Sequence, residues 1–164
     1  MTDYPPSTTI FDTTNRMRRI LWRANQLAAY KHNEYVGTVD LLLAILKESH
    51  PMSLATQDCG SAIAAFRVAG IDVKAISEDE ELALPASSDM TSTDKLPRTR
   101  TATMAIGLAA KEANAASSGK LMSVHLLLGL LRAEHSAAYR VLSSHGCSLE
   151  SLRKATRVFS IPSF

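Results

Sequence analysis

The hydrophobic pattern is dominated by two apolar runs, residues 41–46 and 126–131, which lie 85 residues apart and each contain three successive leucines. Each residue of an α-helix advances about 100° around the axis, so three successive leucines make a helix apolar on nearly all sides. Such a helix is buried inside a domain. At about ten residues each run is too short to cross a bilayer, which requires roughly 20. The pattern therefore predicts two buried central helices.

A hydroxyl residue stands at the same place before each apolar run, Thr38 in the first copy and Ser123 in the second. A side-chain oxygen just before a helix typically accepts hydrogen bonds from the free N–H groups of the first turn. The sequence therefore predicts Thr38 and Ser123 as the N-caps of the two central helices.

An amphipathic helix is predicted before each central helix, because apolar residues recur there at helical spacing. From about Thr14 these residues are Met17, Ile20, Leu21, Ala24, Leu27 and Ala28, and after an opening at Thr99 or Thr101 they are Ala102, Ala105, Ile106, Ala109 and Ala113. The second set is smaller, since Ala105 stands where the first copy has Ile20. We expect the second helix to pack more closely against its partners.

Two shorter helices are predicted after each central helix. In the first copy they cover about residues 61–69, with Ala62, Ile63 and Phe66 inward, and a segment capped by Asp72 that carries Val73 and Ile76; in the second they cover residues 136–145 and a last helix with Leu149 and Leu152. Gly70 and Gly146 end the third helix of each copy and lie 76 residues apart, which places nine extra residues at positions 49–60. The predicted fold is all-α: two four-helix repeats packed with pseudo-twofold symmetry.

The predicted boundaries follow composition. We expect a flexible arm at 1–12, a first repeat at 13–76, an acidic linker at 77–97, a second repeat at 98–157 and a C-terminal tail at 158–164. The linker has six Asp or Glu residues and one Lys, a net charge of −5. It is either a solvated tether or an interaction segment that covers or mimics a ligand.

Charge and aromatic residues do not favour a nucleic-acid partner. The net charge of the 164 residues is only +2. Four arginines share the outer face of the first helix: Arg16, Arg18, Arg19 and Arg23. We interpret them as a solvated face, with a small helical nucleic-acid-binding regulator as the alternative. Trp22 and Tyr30 lie off the apolar stripe, where they are either interface anchors or partly buried.

The sequence offers no catalytic, metal or cofactor motif. Cys59 and Cys147 form no CxxC pair, and Cys147 is predicted to be a small core residue. The five histidines form no HExxH motif, and Ser61 is not in a GxSxG motif. The first residues lack the pattern of a signal peptide. We therefore expect a reduced, cytoplasmic protein that is not an enzyme.

Residues 33–46 (NEYVGTVDLLLAIL), 137–142 (AAYRVL) and 146–149 (GCSL) resemble the duplicated N-terminal repeat domain of the Clp unfoldases. The resemblance runs from about Thr13 to Arg157. It implies an all-helical pseudo-dimer that, in that family, lies on top of the ATPase ring and receives adaptors and substrates.

The sequence contains no GxxxxGK[ST] phosphate loop, so no ATP binding is expected. The resemblance thus implies a free-standing adaptor or accessory subunit of a Clp protease, or a decoy that sequesters ligands of the full-length unfoldase. The implied partners are Clp unfoldase or protease subunits and adaptor or substrate proteins, with no membrane.

The resemblance implies ligand contacts at the two central helix starts and in the groove between the lobes, because helix N-termini favour anionic or polar groups. The predicted site residues are Thr38, Val39 and Asp40 in the first copy and Ser123, Val124 and His125 in the second. His125 is expected to face solvent rather than to contact a ligand.

Phosphoarginine-reading members of the family have Gly-Thr-Glu-His at these helix starts. Val39 and Val124 stand here in place of the glutamates, and a valine cannot pair with a cation. Asp40 lies one residue later, about 100° around the helix. Met122-Ser123 replaces Gly-Thr in the second copy, so the two starts are unequal. We expect phosphoarginine binding to be lost or much weakened.

Overall fold

The computed structural model describes residues 12–13, 15–47, 62–78, 95–116 and 120–159. These ranges form β1 (Asp12–Thr13), α1 (Asn15–Tyr30), α2 (Thr38–Lys47), α3 (Ala62–Val68), α4 (Val73–Ser77), α5 (Arg100–Ala115), β2 (Lys120–Leu121), α6 (Ser123–Arg132), α7 (Ala137–Ser144) and α8 (Leu149–Phe159). All eight predicted helices are present, and the all-α fold is confirmed. Most of the predicted arm and linker, the 49–60 insertion and Cys59 lie outside the described residues.

The central helices α2 and α6 are buried as predicted. All residues of 41–46 and 126–131 are buried. Helix α2 packs against α1 of its own repeat and against α5, α6 and α7 of the other, whereas α6 contacts α5, α7 and α8 as well as α1 and α3. Because each central helix touches both repeats, the two repeats share one hydrophobic core.

An internal twofold relation is visible in the backbone pairing. In the short parallel sheet Thr13 lies opposite Leu121, and an isolated parallel bridge joins Val36 to Arg98. Shifting Thr13 forward and Leu121 back by 85 residues gives Arg98 and Val36. Exchanging the two copies therefore converts one contact into the other, as pseudo-twofold symmetry requires.

Both third helices end in the same way. Gly70 and Gly146 have φ angles of 74° and 80°, a left-handed conformation that glycine adopts at little cost. The amide of Cys147 donates to the carbonyl of Leu142 at 3.0 Å, and Ile71 makes the equivalent bond in the first copy. Cys147 is buried as predicted, and burial raises the pKa of its thiol to about 11, so it stays protonated.

The closer packing predicted for the second repeat is also observed. A Cβ atom added to Gly129 would lie 2.8 Å from the amide nitrogen of Ala109 and nearer still to the carbonyl oxygen of Ala105. The equivalent residue of α2 is Ala44, which has a Cβ and is fully buried. The α5 backbone therefore approaches α6 too closely for any side chain at Gly129.

Candidate functional site

A groove of about 750 Å³ opens at the start of α2 and is lined by residues of both repeats. The first repeat contributes Lys31, His32, Asn33, Glu34, Tyr35, Gly37, Thr38, Val39 and Asp40, and the second contributes Thr99, Thr101, His135, Ser136 and Ala137. Three of the six predicted site residues thus line one groove. The other three, at the start of α6, are not in its lining.

Thr38 and Ser123 do not cap their own helices, so the predicted N-caps are wrong. Each is the first residue of its helix. The Thr38 hydroxyl accepts the amide of Ala138 in α7 at 3.4 Å, and the Ser123 hydroxyl accepts the amide of Ala62 in α3 at 3.0 Å. Each hydroxyl therefore accepts a hydrogen bond from the start of α7 or α3, the third helix of the opposite repeat.

These two hydrogen bonds have a simple physical cause. The first N–H groups of a helix have no partner within it, and a buried helix start needs an acceptor from elsewhere. Thr38 and Ser123 are 6% and 3% exposed, so water does not supply that acceptor in their place. The two hydroxyls therefore join the repeats to each other, in addition to any contact with a ligand.

The backbone amide just before each central helix donates a hydrogen bond to the side chain of the third residue of that helix, which is Asp40 in α2 and His125 in α6. Asp40 Oδ2 accepts the amide of Gly37 at 2.9 Å, and His125 Nδ1 accepts the amide of Met122 at 3.0 Å. This is the third-residue half of a capping box. Asp40 therefore turns back toward the backbone just before its own helix, a contact that was not predicted from the sequence.

The two acceptors differ in charge. Asp40 also pairs with Lys31, whose Nζ lies 3.1 Å from Oδ1. His125 is 2% exposed, so the expectation that it faces solvent is wrong. Burial lowers the pKa of His125, and the negative charge of Glu112 opposes this shift only in part. An imidazole that accepts through Nδ1 is neutral and carries its proton on Nε2.

Glu112 anchors an ionic cluster beside the second helix start. Its side chain is 8% exposed and lies 3.3 Å from Nη1 of Arg132, and it also pairs with Arg153. The cluster joins α5, α6 and α8. A buried carboxylate is tolerated because two guanidinium groups compensate its lost hydration.

Val39 and Val124 differ in accessibility. Val39 is partly buried and lines the groove, whereas Val124 is 1% exposed and belongs to the core. Neither helix start presents a carboxylate at this position. The second start thus offers a ligand no surface at Val124.

Several groove residues were not predicted from the sequence. Lys31 and Tyr35 come from the turn between α1 and α2, and His135 comes from the loop before α7. Tyr35 is 51% exposed, which is unusual for a large aromatic residue. The sequence could have indicated Tyr35, because it lies two residues before Gly37 and the start of α2. Nothing in the sequence indicates that His135 lies near this helix start, because its position depends on the packing of the two repeats.

Comparisons with known proteins agree with the predicted resemblance to the Clp N-terminal repeat domain. Residues 97–160 match the family described as Clp repeat (R) N-terminal domain. The chain is 26% identical over 141 residues to the chaperone protein ClpB of Oceanobacillus iheyensis and 27% identical over 141 residues to the negative regulator of genetic competence ClpC/MecB of Bacillus subtilis. Each match covers 86% of this chain and 16% of the relative, so the chain spans about one sixth of the length of these relatives.

Solved structures show the same fold. The Hsp104 N-terminal domain from Candida albicans gives a TM-score of 0.64 at 16% identity, covering 88% of this chain and 89% of that one. The N-terminal domain of the caseinolytic protease associated chaperone ClpD from Arabidopsis thaliana gives 0.57 at 20% identity, covering 93% and 97%. The predicted resemblance to the Clp N-terminal repeat domain is therefore confirmed.

Two kinds of site are absent from the described part of the chain. None of its helices has the length and apolar character needed to cross a membrane. The same residues include no group of three His, Cys, Asp or Glu side chains that could hold a metal ion. The groove at the start of α2, which is lined by both repeats, is the candidate functional site.

Proposed function

We propose that the chain is a non-enzymatic protein-binding module that acts as an adaptor or accessory regulator of a Clp protease. The groove at the start of α2 is the observation that carries this proposal. It is open to solvent and formed by both repeats, so a polypeptide segment lying in it contacts α2 and α7 together. Neither repeat alone forms such a surface.

The chemistry of the groove suits a polypeptide ligand. Tyr35, Val39 and Ala137 give it apolar surface, and His135 adds an exposed polar side chain. The Asp40 carboxylate is held by Lys31 and by the Gly37 amide, so the floor is fixed before a ligand binds. Apolar surface with a few fixed polar groups is typical of binding sites.

The relatives indicate the class of partner. One relative is named as a chaperone and the other as a negative regulator of genetic competence, and one structural neighbour is named as a chaperone associated with the caseinolytic protease. This chain corresponds to the N-terminal domain of such proteins. We therefore infer that it binds Clp unfoldase or protease subunits, or the adaptors and substrates that those proteins receive.

The test is affinity capture from the native lysate, with the bound proteins identified by mass spectrometry. The tagged chain is compared with Tyr35→Ala in the groove and with Met104→Ala, a control that replaces an equally exposed residue on α5. We expect Clp subunits or a defined substrate set with the wild type and the control. Tyr35→Ala should weaken the affinity at least about tenfold, which is about 1.4 kcal/mol, and so reduce the recovery.

Two results would contradict the proposal in different ways. Recovery of neither Clp subunits nor their substrates by the wild type would reject the function. Equal recovery by Tyr35→Ala and by the wild type would reject the groove as the binding surface. Circular dichroism of each variant checks that the fold is retained.

A further inference from the structure

We propose that His32 contacts an unfolded polypeptide in the groove at the start of α2, an inference that rests on the proposed function. His32 follows α1 and has a φ angle of 58°. In the described part of the chain it is the one residue other than glycine with a positive φ angle. A residue with a Cβ atom is strained in this left-handed conformation, because the Cβ crowds the following carbonyl oxygen. Glycine would fit this position at lower cost.

Two other helices end with the same backbone geometry and use glycine. Helices α1, α3 and α7 each end two residues before a residue with a positive φ angle, which is His32, Gly70 or Gly146. In all three, the amide of that residue donates to the carbonyl three residues earlier, and the next amide donates to the carbonyl five residues earlier. Glycine is the usual residue at such a helix end. The backbone of α1 therefore gives no reason for a histidine.

The side chain of His32 makes no polar contact that would offset this strain. It is exposed, and among the residues that the structure describes it has no hydrogen bond, ion pair or ring contact. His32 does, however, line the groove at the start of α2. Strained residues of this kind cluster at binding sites, where the side chain acts on a ligand. The groove therefore supplies the reason for a histidine that the fold itself lacks.

The polar groups of the groove indicate the class of ligand. Of its charged residues, Lys31 and Asp40 pair with each other at 3.1 Å, which leaves Glu34. His32 and His135 line the groove from opposite repeats, and both are exposed. A neutral imidazole has one donor and one acceptor nitrogen, which match the C=O and N–H groups of a polypeptide backbone. A folded protein uses most of these groups internally, so the matching ligand is an unfolded polypeptide.

The experiment measures ligand binding and stability on the same variants of the full chain. The probe is fluorescein-labelled casein, a polypeptide without a fixed fold, and its binding is followed by fluorescence anisotropy. His32→Gly should raise the midpoint of urea unfolding, because glycine relieves the strain. The same variant should weaken casein binding about fivefold or more, because a hydrogen-bonding side chain is lost. A residue that only stabilised the fold would not shift the two measurements in opposite directions.

Two further variants separate the imidazole from the backbone strain. His32→Ala keeps a Cβ atom and loses only the imidazole, so it should bind casein as weakly as His32→Gly without the gain in stability. Gly146→His places the same strain at the end of α7, outside the groove lining, where an added Cβ meets no atom within 4 Å. It should lower the urea midpoint and change casein binding by less than about twofold.

Two results would overturn the inference and leave the proposed function standing. Casein binding that is weakened by Tyr35→Ala but unchanged in His32→Ala would show that the imidazole makes no contact. A lower urea midpoint for His32→Gly would show that the histidine stabilises the fold instead. A third result, no casein binding by the wild-type chain, would reject the groove as a site for unfolded polypeptides, and the inference would fail with it.

Discussion

The two repeats meet the same backbone requirement with different chemistry. Each central helix needs an acceptor for the amide just before it, supplied by Asp40 in α2 and by His125 in α6. The carboxylate is paired with Lys31 beside an open groove, whereas the imidazole is neutral and buried. Duplication kept the geometry of the helix start and changed its charge, so only the first start combines a fixed ion pair with accessible surface.

Helices α1 and α5, which pack against the central helices, show the same contrast between an uncharged and a charged side chain. Leu27 of α1 and Glu112 of α5 occupy equivalent positions, and both are buried. Leu27 is accommodated among apolar neighbours, whereas Glu112 requires Arg132 and Arg153. The same fold therefore accommodates an apolar side chain at this position in one repeat and an ion-paired carboxylate in the other. The following predictions test this comparison, from the largest expected effect to the smallest.

Gly129→Ala should destabilise the protein by about 3 kcal/mol, because the new Cβ meets the α5 backbone at Ala105 and Ala109. The matched change in the other repeat, Ala44→Gly, should cost only about 1 kcal/mol from helix propensity. Urea unfolding measures both. A stabilised Gly129→Ala variant would show that the repeats pack alike.

Glu112→Ala should cost about 2 kcal/mol, because two arginines lose their buried partner and a cavity is left. Glu112→Leu should cost less, since leucine fills the equivalent position at Leu27. Thermal unfolding at matched salt compares the two variants. If Glu112→Leu lost more stability than Glu112→Ala, the second repeat could not accommodate the apolar side chain that the first repeat has at this position.

Stability should fall as the pH is lowered below about 6.5, since the His125 pKa is depressed in the fold and the unfolded chain takes up its proton first. The decline from this residue is at most about 1.4 kcal/mol per pH unit. His125→Asn keeps an acceptor for the Met122 amide and should flatten the profile. Urea unfolding between about pH 7.5 and 5 gives the slopes, and identical slopes for the two proteins would refute this assignment.

Ser123→Ala should cost about 1 kcal/mol and Thr38→Val somewhat less, because the bond to Ala62 is 3.0 Å and that to Ala138 is 3.4 Å. Hydrogen exchange locates the effect. Faster exchange at the Ala62 amide in Ser123→Ala is expected, although the two residues belong to different repeats. Unchanged exchange at Ala62 would place the loss elsewhere.

Phosphoarginine should give no measurable heat in a calorimetric titration, because Val39 and Val124 provide no carboxylate and Val124 is buried. The Asp40 carboxylate is already engaged by Lys31 and by the Gly37 amide. Phosphate and free arginine serve as controls. Micromolar affinity for phosphoarginine would show that another group takes the place of the missing glutamates.

The amino-acid sequence by itself determined the helices and their duplication. Helix position depends on local patterns, such as the apolar stripe that includes Met17 and Ile20 or the glycine stop at Gly70, and these are read within a few residues. The 85-residue offset then identified the repeat. The predicted repeat boundaries and the ligand role of the six site residues stay predictions.

Only the tertiary structure decided how the helix starts are used. Thr38 and Ser123 carry the local signal of an N-cap, yet their hydroxyls bind amides of the opposite repeat. His125 is polar, but α6 lies in the shared core and carries it inside. The groove depends on His135 reaching the start of α2. Sequence patterns report what a helix can do locally, whereas the partner of a hydroxyl or the exposure of a histidine depends on which distant segment packs against it.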